Sequence, residues 1–328
     1  KKQGRVCKEL DLQFLTIADF HGQLDPVSVA NVGNVGGAAV LRSYFDADRV
    51  TNPRSLLLSA GDAFGASPPL AAFFDEKPVV EVMNLMRFDA EAPGNHTFDR
   101  GTLVLHWLIE LSKFRYVSAN LTGVGSAMKC EEQPANLCIA PYQTYWMGGV
   151  KVAVIGLMTP ELPDLVKPGA LGTIKVTDPV PAALAAREKA AAEGAKVFVA
   201  LAHIGGTPGA ASAPPTGPLA ELATQLTGFD LVLGGHTHSA INAQIGDVLV
   251  VENQSQGTTY SRAMLRYDFA SSSVVTRTAE IVTPMADAVT PDQEVLDLLA
   301  PYRTKVAQTL DGHIGASRSS TSWSGVTA

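Results

Sequence analysis

Several features that would assign this chain to a common functional class are missing from its sequence. No apolar run approaches the roughly 20 residues of a transmembrane helix, so we expect no membrane span. The net charge is −7 and no dense Lys/Arg cluster occurs, which argues against nucleic acid as a partner. No signal-like apolar stretch follows Lys1, so we expect any export signal to have been removed or to lie outside this chain.

Cysteine is also scarce, with three residues in 328: Cys7, Cys130 and Cys138. The segment between Cys130 and Cys138 is polar and contains a proline, so two buried free thiols are a poor explanation for this pair. We expect a Cys130–Cys138 disulfide and therefore an oxidising compartment: secreted, periplasmic or at the cell surface. Cys7 is then left without a partner.

The residues that are present predict an α/β protein. Hydrophobic residues make up 46% of the chain, enough for a sizeable core. Apolar runs of strand length alternate with helical patterns, for example residues 12–18 and 55–59, which predicts α/β layering with a mixed sheet. Residues 248–251, 264–269 and 274–282 predict antiparallel strands that close the sheet.

Polar motifs follow these predicted strands where each of them ends. A single histidine is usually a core or surface residue, but five of the seven histidines lie in these motifs, beside Asp and Asn. The motifs are Asp19-x-His21, Gly61-Asp62, Asn95-His96-x-x-Asp99, His203 and His236-x-His238. Imidazole and carboxylate ligands suit Zn, Mn, Fe or Co, and a shared carboxylate can bridge two ions about 3.5–4 Å apart. The pattern therefore predicts a two-metal site at the carboxyl edge of the sheet.

The ordered set of motifs resembles the calcineurin-like metallophosphoesterase superfamily, and within it the catalytic domain of the 5′-nucleotidases and 2′,3′-cyclic-nucleotide phosphodiesterases. The resemblance covers residues 11–310 and implies a four-layer α/β/β/α sandwich with mixed sheets. It is carried by the segments Ile17-Ala18-Asp19-Phe20-His21-Gly22, Gly61-Asp62, Gly94-Asn95-His96-Thr97-Phe98-Asp99, Leu201-Ala202-His203 and Gly234-Gly235-His236-Thr237-His238. Any one of these motifs alone would be a weak signal.

The resemblance implies a role for each motif residue. The first of two divalent ions would take Asp19, His21, Asp62 and His238. The second would take Asp62, Asn95, His203 and His236, with Asp62 as the bridge. A hydroxide activated by both ions would attack phosphorus in line, His96 would assist the leaving group, and Asp99 would orient His96. Members of the family usually carry Glu where Thr97 stands, and we expect activity to survive this change.

The resemblance also implies a domain organisation. Residues 1–290 would form the catalytic domain, and residues 291–315 a helix resembling the linker to a nucleotide-binding domain that this chain does not contain. Residues 316–328 are rich in Ser, Thr and Gly and predict a flexible tail. Without the second domain, nucleoside specificity loses its usual support.

The leading hypothesis is hydrolysis of a small phosphate ester, with a nucleotide favoured, by a chain that we expect to be a monomer. One alternative keeps the scaffold but changes the substrate: a cyclic-nucleotide phosphodiesterase, a nucleotide-sugar pyrophosphatase or a sulfur-ester hydrolase. Another is a metal-retaining surface binding protein without turnover. The presence of His96 with Asp99 argues against this last alternative, because a binding protein has no need of that pair.

Overall fold

A computed structural model describes residues 8–130, 137–210 and 213–310. In chain order, the strands are β1 (Glu9–Ile17), β2 (Val27–Val29), β3 (Gly33–Val35), β4 (Ser55–Ser59), β5 (Ala90–Glu91), β6 (Arg115–Tyr116), β7 (Leu121–Thr122), β8 (Tyr142–Met147), β9 (Val150–Met158), β10 (Lys175–Val176), β11 (Val197–His203), β12 (Leu231–Gly234), β13 (Ile241–Ile245), β14 (Val248–Glu252), β15 (Tyr260–Asp268) and β16 (Ser273–Val282). The α-helices are α1 (Ala38–Thr51), α2 (Pro69–Ala72), α3 (Lys77–Met86), α4 (Thr102–Leu111), α5 (Val124–Met128), α6 (Leu162–Leu165), α7 (Pro179–Ala192), α8 (Pro218–Gln225) and α9 (Gln293–Leu310).

Two six-stranded mixed sheets organise the described residues. The first has the order β16-β15-β1-β4-β5-β6, and the second has the order β13-β14-β12-β11-β9-β8. Each sheet contains four parallel neighbours, β1-β4-β5-β6 in the first and β14-β12-β11-β9 in the second. The remaining strands of the two sheets, β15 and β16 in the first and β13 and β8 in the second, pair antiparallel at the sides of these blocks.

Burial explains why the two sheets stack with helices outside them. One apolar cluster lies between the sheets and includes Leu12 and Phe14 from β1 with Val199 and Leu201 from β11. From Leu12 to Ile17, β1 is buried on both faces, which agrees with the mostly apolar sequence of this part of the strand. A second cluster joins the first sheet to α1, α3, α4 and α9, and a third joins the second sheet to α7 and α8. These four layers confirm the predicted α/β/β/α sandwich with mixed sheets.

The closing strands differ in part from the prediction. β15 and β16 pair antiparallel as expected, but β14 pairs parallel with β12, so residues 248–251 are not an antiparallel closing strand there. The antiparallel neighbour of β14 is β13, which the sequence analysis did not identify. Strand direction is set by the partner strand and the connection to it, so the apolar pattern of residues 248–251 carries no information about direction.

Local sequence signals at the helices agree with the structure. The side chain of Asp178 caps α7 by accepting a hydrogen bond from Val180 N (3.0 Å), and Pro179 occupies the first turn. Helix α9 buries Val295 and Leu299, one turn apart, against the first sheet's helices. The division into a catalytic domain, a linker helix and a tail stays a prediction, and residues 311–328 lie outside the described residues.

Two structural findings concern the cysteine pair and the length of the helices. The Cys130 and Cys138 sulfur atoms are bonded at 1.99 Å, while residues 131–136 between them lie outside the described residues. Among the described helices, none combines the length and the apolar character needed to cross a bilayer.

Candidate metal centre

The predicted ligand residues converge where the parallel strands of both sheets end. Asp19 and His21 follow β1, Asp62 follows β4 and Asn95 follows β5 in the first sheet, whereas His203 ends β11 and His236 and His238 follow β12 in the second. The loops that follow β1 and β4 are hydrogen-bonded to each other beyond the strand ends: Asp19 N donates to Gly61 O and His21 N donates to Asp62 O, both at 2.9 Å. Residues distant in sequence therefore form a single cleft between the sheets.

Backbone conformation at these loops is unusual. The φ angle is positive at five of the predicted ligands: Asp19 (51°), His21 (48°), Asp62 (49°), His236 (87°) and His238 (55°). Left-handed backbone in residues other than glycine costs about 1–3 kcal/mol each and persists only where the surrounding structure enforces it. The fold thus stabilises a strained arrangement that aims these side chains inward, as preorganised functional sites do.

One cluster of donor atoms is formed by Asp19, His21 and His238. The two imidazole Nε2 atoms are 3.4 Å apart, and His238 Nε2 is 3.5 Å from Asp19 Oδ1. His21 Nδ1 lies 2.9 Å from the Gly65 carbonyl oxygen, which can only accept, so the ring proton belongs on Nδ1. The Nε2 lone pair of His21 therefore faces the cleft and is free to bind a cation.

A second cluster is formed by Asp19, Asp62 and His203, all fully or almost fully buried. His203 Nε2 lies 3.2 Å from Asp62 Oδ2 and 3.1 Å from Asn95 Oδ1, while its Nδ1 lies 2.9 Å from the Ala60 carbonyl oxygen. The nitrogen that faces the cleft is thus surrounded by oxygen acceptors, an arrangement that favours a cation among them.

The electrostatics of this second cluster also favour positive charge. Burial would raise the pKa of Asp62, but the charge and hydrogen bond of His203 outweigh burial and hold that pKa below its ordinary value. Burial lowers the pKa of His203, yet the carboxylate of Asp62 overrides it and raises the pKa to about 9. The two buried carboxylates of Asp19 and Asp62 thus favour a positive charge at this position.

His236 lies beside the second cluster. Its ring centroid is 5.0 Å from that of His203, and its backbone N–H points at the Asp19 carboxylate, with N···O distances of 2.9 and 3.1 Å. Glu161 approaches the same ring, with Oε2 3.9 Å from His236 Nε2. The close donor clusters share Asp19, whereas Asp62, the predicted bridge, belongs to one of them.

His96 begins a short 3₁₀ helix at the mouth of the cleft (His96–Phe98), and Asp99 follows at the C-terminal end of that helix. His96 Nδ1 donates to Asp99 Oδ2 (2.9 Å), and this hydrogen bond raises the pKa of His96 above its ordinary value. The His96 side chain is 36% exposed, and its ring centroid lies 5.2 Å from that of His21. The pair is placed to meet a ligand that enters the cleft from solvent.

The backbone around His96 holds the centre together. His96 N donates to Asp62 Oδ1 at 2.9 Å, so this loop fixes one oxygen of the predicted bridge. A Cβ atom at Gly94 would lie 2.1 Å from the same oxygen, which explains the glycine. Thr97, which the sequence did not explain, is buried and accepts a hydrogen bond from Gly94 N (2.9 Å), so it stabilises the turn.

The structure adds two buried acids that the sequence analysis did not single out. Glu252 ends β14, and burial raises its pKa to about 7 despite hydrogen bonds from Thr237, Gly206 and Ser239. Glu91 ends β5, and burial raises its pKa to about 8. An acidic residue that ends an apolar run, as in Val-Val-Glu at residues 250–252, was the available signal.

Comparison with known proteins agrees with this geometry. A sequence model of the calcineurin-like phosphoesterase family matches residues 12–240. The Endonuclease YhcR of Bacillus subtilis is 25% identical over 316 residues, which cover 93% of this chain and 26% of that protein. A snake venom 5′-nucleotidase of Crotalus adamanteus is 31% identical over 207 residues, covering 62% of this chain and 32% of that protein.

A solved structure extends the likeness to three dimensions. The 5′-nucleotidase precursor from Thermus thermophilus superposes with a TM-score of 0.79 at 26% identity, covering 92% of this chain and 60% of that chain. This chain spans less than two thirds of the length of each of these three proteins. Since the family match covers more than half of the residues, the chain belongs to the calcineurin-like phosphoesterase family of metal-dependent phosphoric ester hydrolases.

Proposed function

We propose that this chain hydrolyses phosphate monoesters of nucleotides, in the manner of a 5′-nucleotidase, with two divalent ions bound between its sheets. One observation carries the proposal. The strand ends bring two overlapping clusters of imidazole and carboxylate donors into one cleft, and the His96–Asp99 pair stands at the mouth of that cleft.

The residues fit two divalent ions. His21 and His203 each have Nδ1 against a carbonyl oxygen, so the neutral form of each ring carries its proton on Nδ1, and an ion that displaces any Nε2 proton would find an Nε2 lone pair beside oxygen ligands. A mixed nitrogen and oxygen donor set suits Mn, Zn, Fe or Co. We assign the first ion to Asp19, His21, Asp62 and His238, and the second to Asp62, Asn95, His203 and His236.

When bound, two such ions would neutralise phosphate oxygens and activate the attacking water. The chain's own residues supply the rest. His96, protonated on both ring nitrogens, would hold Nδ1–H on Asp99 and offer its Nε2 proton to the leaving oxygen. The raised pKa of His96 increases its protonated fraction near neutral pH. Asp99 keeps the ring in this orientation.

The substrate class rests on the named relatives and on the space beside His96. Several relatives are named 5′-nucleotidases. A cavity of about 630 Å³ adjoins Asp99 and is lined partly by Ser67, Arg100 and Lys167. Because Asp99 lines this cavity and contacts His96, the cavity offers room near His96 for a leaving group as large as a nucleoside. Arg100 is already paired with Asp75 (2.8 Å), which makes Lys167 the better candidate for contact with substrate.

We also propose that the protein works outside the cytoplasm, at the cell surface or in an oxidising compartment. The bonded Cys130–Cys138 pair supports this location. So do the names of two relatives, a cell wall protein of Listeria monocytogenes and the venom enzyme of Crotalus adamanteus.

The decisive experiment incubates the protein and added Mn with AMP, a 2′,3′-cyclic nucleotide, an aryl phosphate and a nucleotide sugar, and separates the products by chromatography. Inorganic phosphate is released only from AMP and the aryl phosphate, whereas the cyclic nucleotide opens to a monoester and the nucleotide sugar is cleaved to two monoesters. A single-stranded DNA arm is included because one relative is named an endonuclease. We expect AMP to be the best of these substrates. Preference for the cyclic nucleotide or the nucleotide sugar would keep the chemistry and reassign the substrate. No turnover of any substrate by protein that holds two ions would refute hydrolysis and favour a binding protein.

A further inference from the structure

Glu252 is a fully buried acid at the end of β14. Its carboxylate accepts hydrogen bonds from two loops and forms no salt bridge with a basic side chain of the described residues. Its Oε2 accepts from Gly206 N (2.9 Å), and its Oε1 accepts from Thr237 Oγ1 (2.6 Å) and Ser239 N (3.3 Å). Glu252 also pairs in register with Gly234 of the neighbouring β12. It therefore lies directly behind the turns that leave β11 and β12.

These two turns carry three of the predicted ligands. Gly206 lies three residues after His203, and Thr237 separates His236 from His238. The turns also touch directly, because a Cβ atom at Gly205 would lie 2.3 Å from Thr237 Oγ1. One carboxylate thus ties together the backbone of both turns.

The turn that follows β12 needs such an anchor. His236 and His238 both have positive φ, 87° and 55°, and such backbone persists only where neighbouring groups enforce it. On the cleft side, the Asp19 carboxylate accepts from His236 N, but Asp19 is itself a predicted ligand. On the opposite side, Glu252 Oε1 accepts from Thr237 Oγ1 and Ser239 N, and Thr237 Oγ1 also lies 2.9 Å from the Gly206 carbonyl oxygen.

We propose that Glu252 is a positioning residue for the metal centre, which fixes His236 and His238 against His203 without binding an ion itself. The inference rests on the proposed function only in that it requires divalent ions at this site. Groups that orient metal ligands typically change metal affinity or activity by about 10–100-fold when they are removed. Removing Glu252 should therefore lower metal affinity directly, and it should lower turnover because less metal is bound.

Asp230 provides a matched control at the other end of the same two strands. It is also a buried carboxylate, and its Oδ2 accepts from Phe198 N (3.0 Å) near the start of β11. Its Oδ1 accepts from Arg277 (2.7 Å). Asp230→Asn thus disturbs β11 and β12 at the end opposite to Glu252 and to the predicted ligands.

The test measures Mn²⁺ affinity by calorimetry, together with the thermal midpoint, for wild type, Glu252→Ala, Glu252→Gln and Asp230→Asn. Glu252→Ala should weaken Mn²⁺ binding by about 10–100-fold. Glu252→Gln should fall between Ala and wild type, because an amide keeps one acceptor oxygen and cannot accept from the second N–H. Asp230→Asn should lower the thermal midpoint while its Mn²⁺ affinity stays at the wild-type value.

Wild-type Mn²⁺ affinity in Glu252→Ala would overturn the inference, as would an equal loss of affinity in Asp230→Asn. If Glu252→Ala does not fold, Glu252→Gln and Thr237→Val decide, because each removes part of the same contacts. A wild-type protein that binds Mn²⁺ through Glu252-dependent affinity but releases no phosphate would refute the proposed function and support the positioning role. A wild-type protein that binds no Mn²⁺ would overturn both.

Discussion

Replacing His96 by alanine separates catalysis from metal binding at this centre. The ring is 36% exposed and its Nδ1 contacts Asp99, so its removal leaves little buried cavity. The main-chain link from residue 96 to Asp62 Oδ1 (2.9 Å) survives, because alanine keeps the backbone N–H. The predicted ligands should therefore stay in place.

The expected effect falls on turnover. Loss of a general acid typically lowers kcat by about 10²–10⁴-fold, which corresponds to about 2.7–5.4 kcal/mol in the activation barrier. Steady-state kinetics of AMP hydrolysis with saturating Mn²⁺ measures this loss, and elemental analysis of the same sample measures bound metal. The variant should contain as much metal as wild type.

Two results would refute this reasoning. Loss of metal together with activity would make His96 a ligand rather than an acid. A fall in kcat of less than about tenfold, with metal retained, would mean that the leaving oxygen takes its proton from water or from another group. A nitrophenyl ester, whose leaving group needs little protonation, serves as the internal control and should lose much less kcat than AMP.

Three further substitutions test the neighbouring assignments. Asp99→Asn replaces the charged acceptor with a neutral amide and weakens the hydrogen bond that raises the pKa of His96, so activity that needs protonated His96 should be lost at lower pH than in wild type; an unmoved alkaline limb in the kcat–pH profile would argue against His96 as the acid. Gly94→Ala places Cβ 2.1 Å from Asp62 Oδ1, and the expected result is loss of bound metal with a destabilisation of about 1–3 kcal/mol by calorimetry, whereas wild-type metal content would contradict the packing argument. Asp62→Asn should release both ions together in elemental analysis, and full retention of one ion would move the bridging role to Asp19, which both donor clusters share.

The sequence predicted the site because its motifs fall at strand ends, and strand ends follow from the apolar runs themselves. The runs before Asp19 and Asp62 end in mostly apolar, buried residues, so the points at which they stop are clear. The carboxyl ends of parallel strands meet at one edge, which brings residues as distant as Asp19 and His238 to an Nε2–Oδ1 distance of 3.5 Å.

What the sequence could not predict depends on contacts between segments. The direction of β14 depends on its partner β12. Strand β13, Ile-Asn-Ala-Gln-Ile, alternates apolar and polar residues but has only five of them, so the pattern is too short to identify the strand. Glu252 resembles any acid at the end of a strand until Gly206 and Thr237 are placed against it. The role of Thr97 could be seen only in the structure, because its hydroxyl accepts a hydrogen bond from the backbone N–H of Gly94 in the same turn.

The most direct test of the two-metal assignment is anomalous diffraction at the manganese edge from crystals soaked with Mn²⁺ and phosphate. We expect two peaks about 3.5–4 Å apart at the strand ends, with phosphate oxygens on both ions and His96 facing the phosphate. The peaks should divide the ligands into one set with His21 and His238 and another with His203 and His236. A single peak, or peaks away from these side chains, would contradict the account.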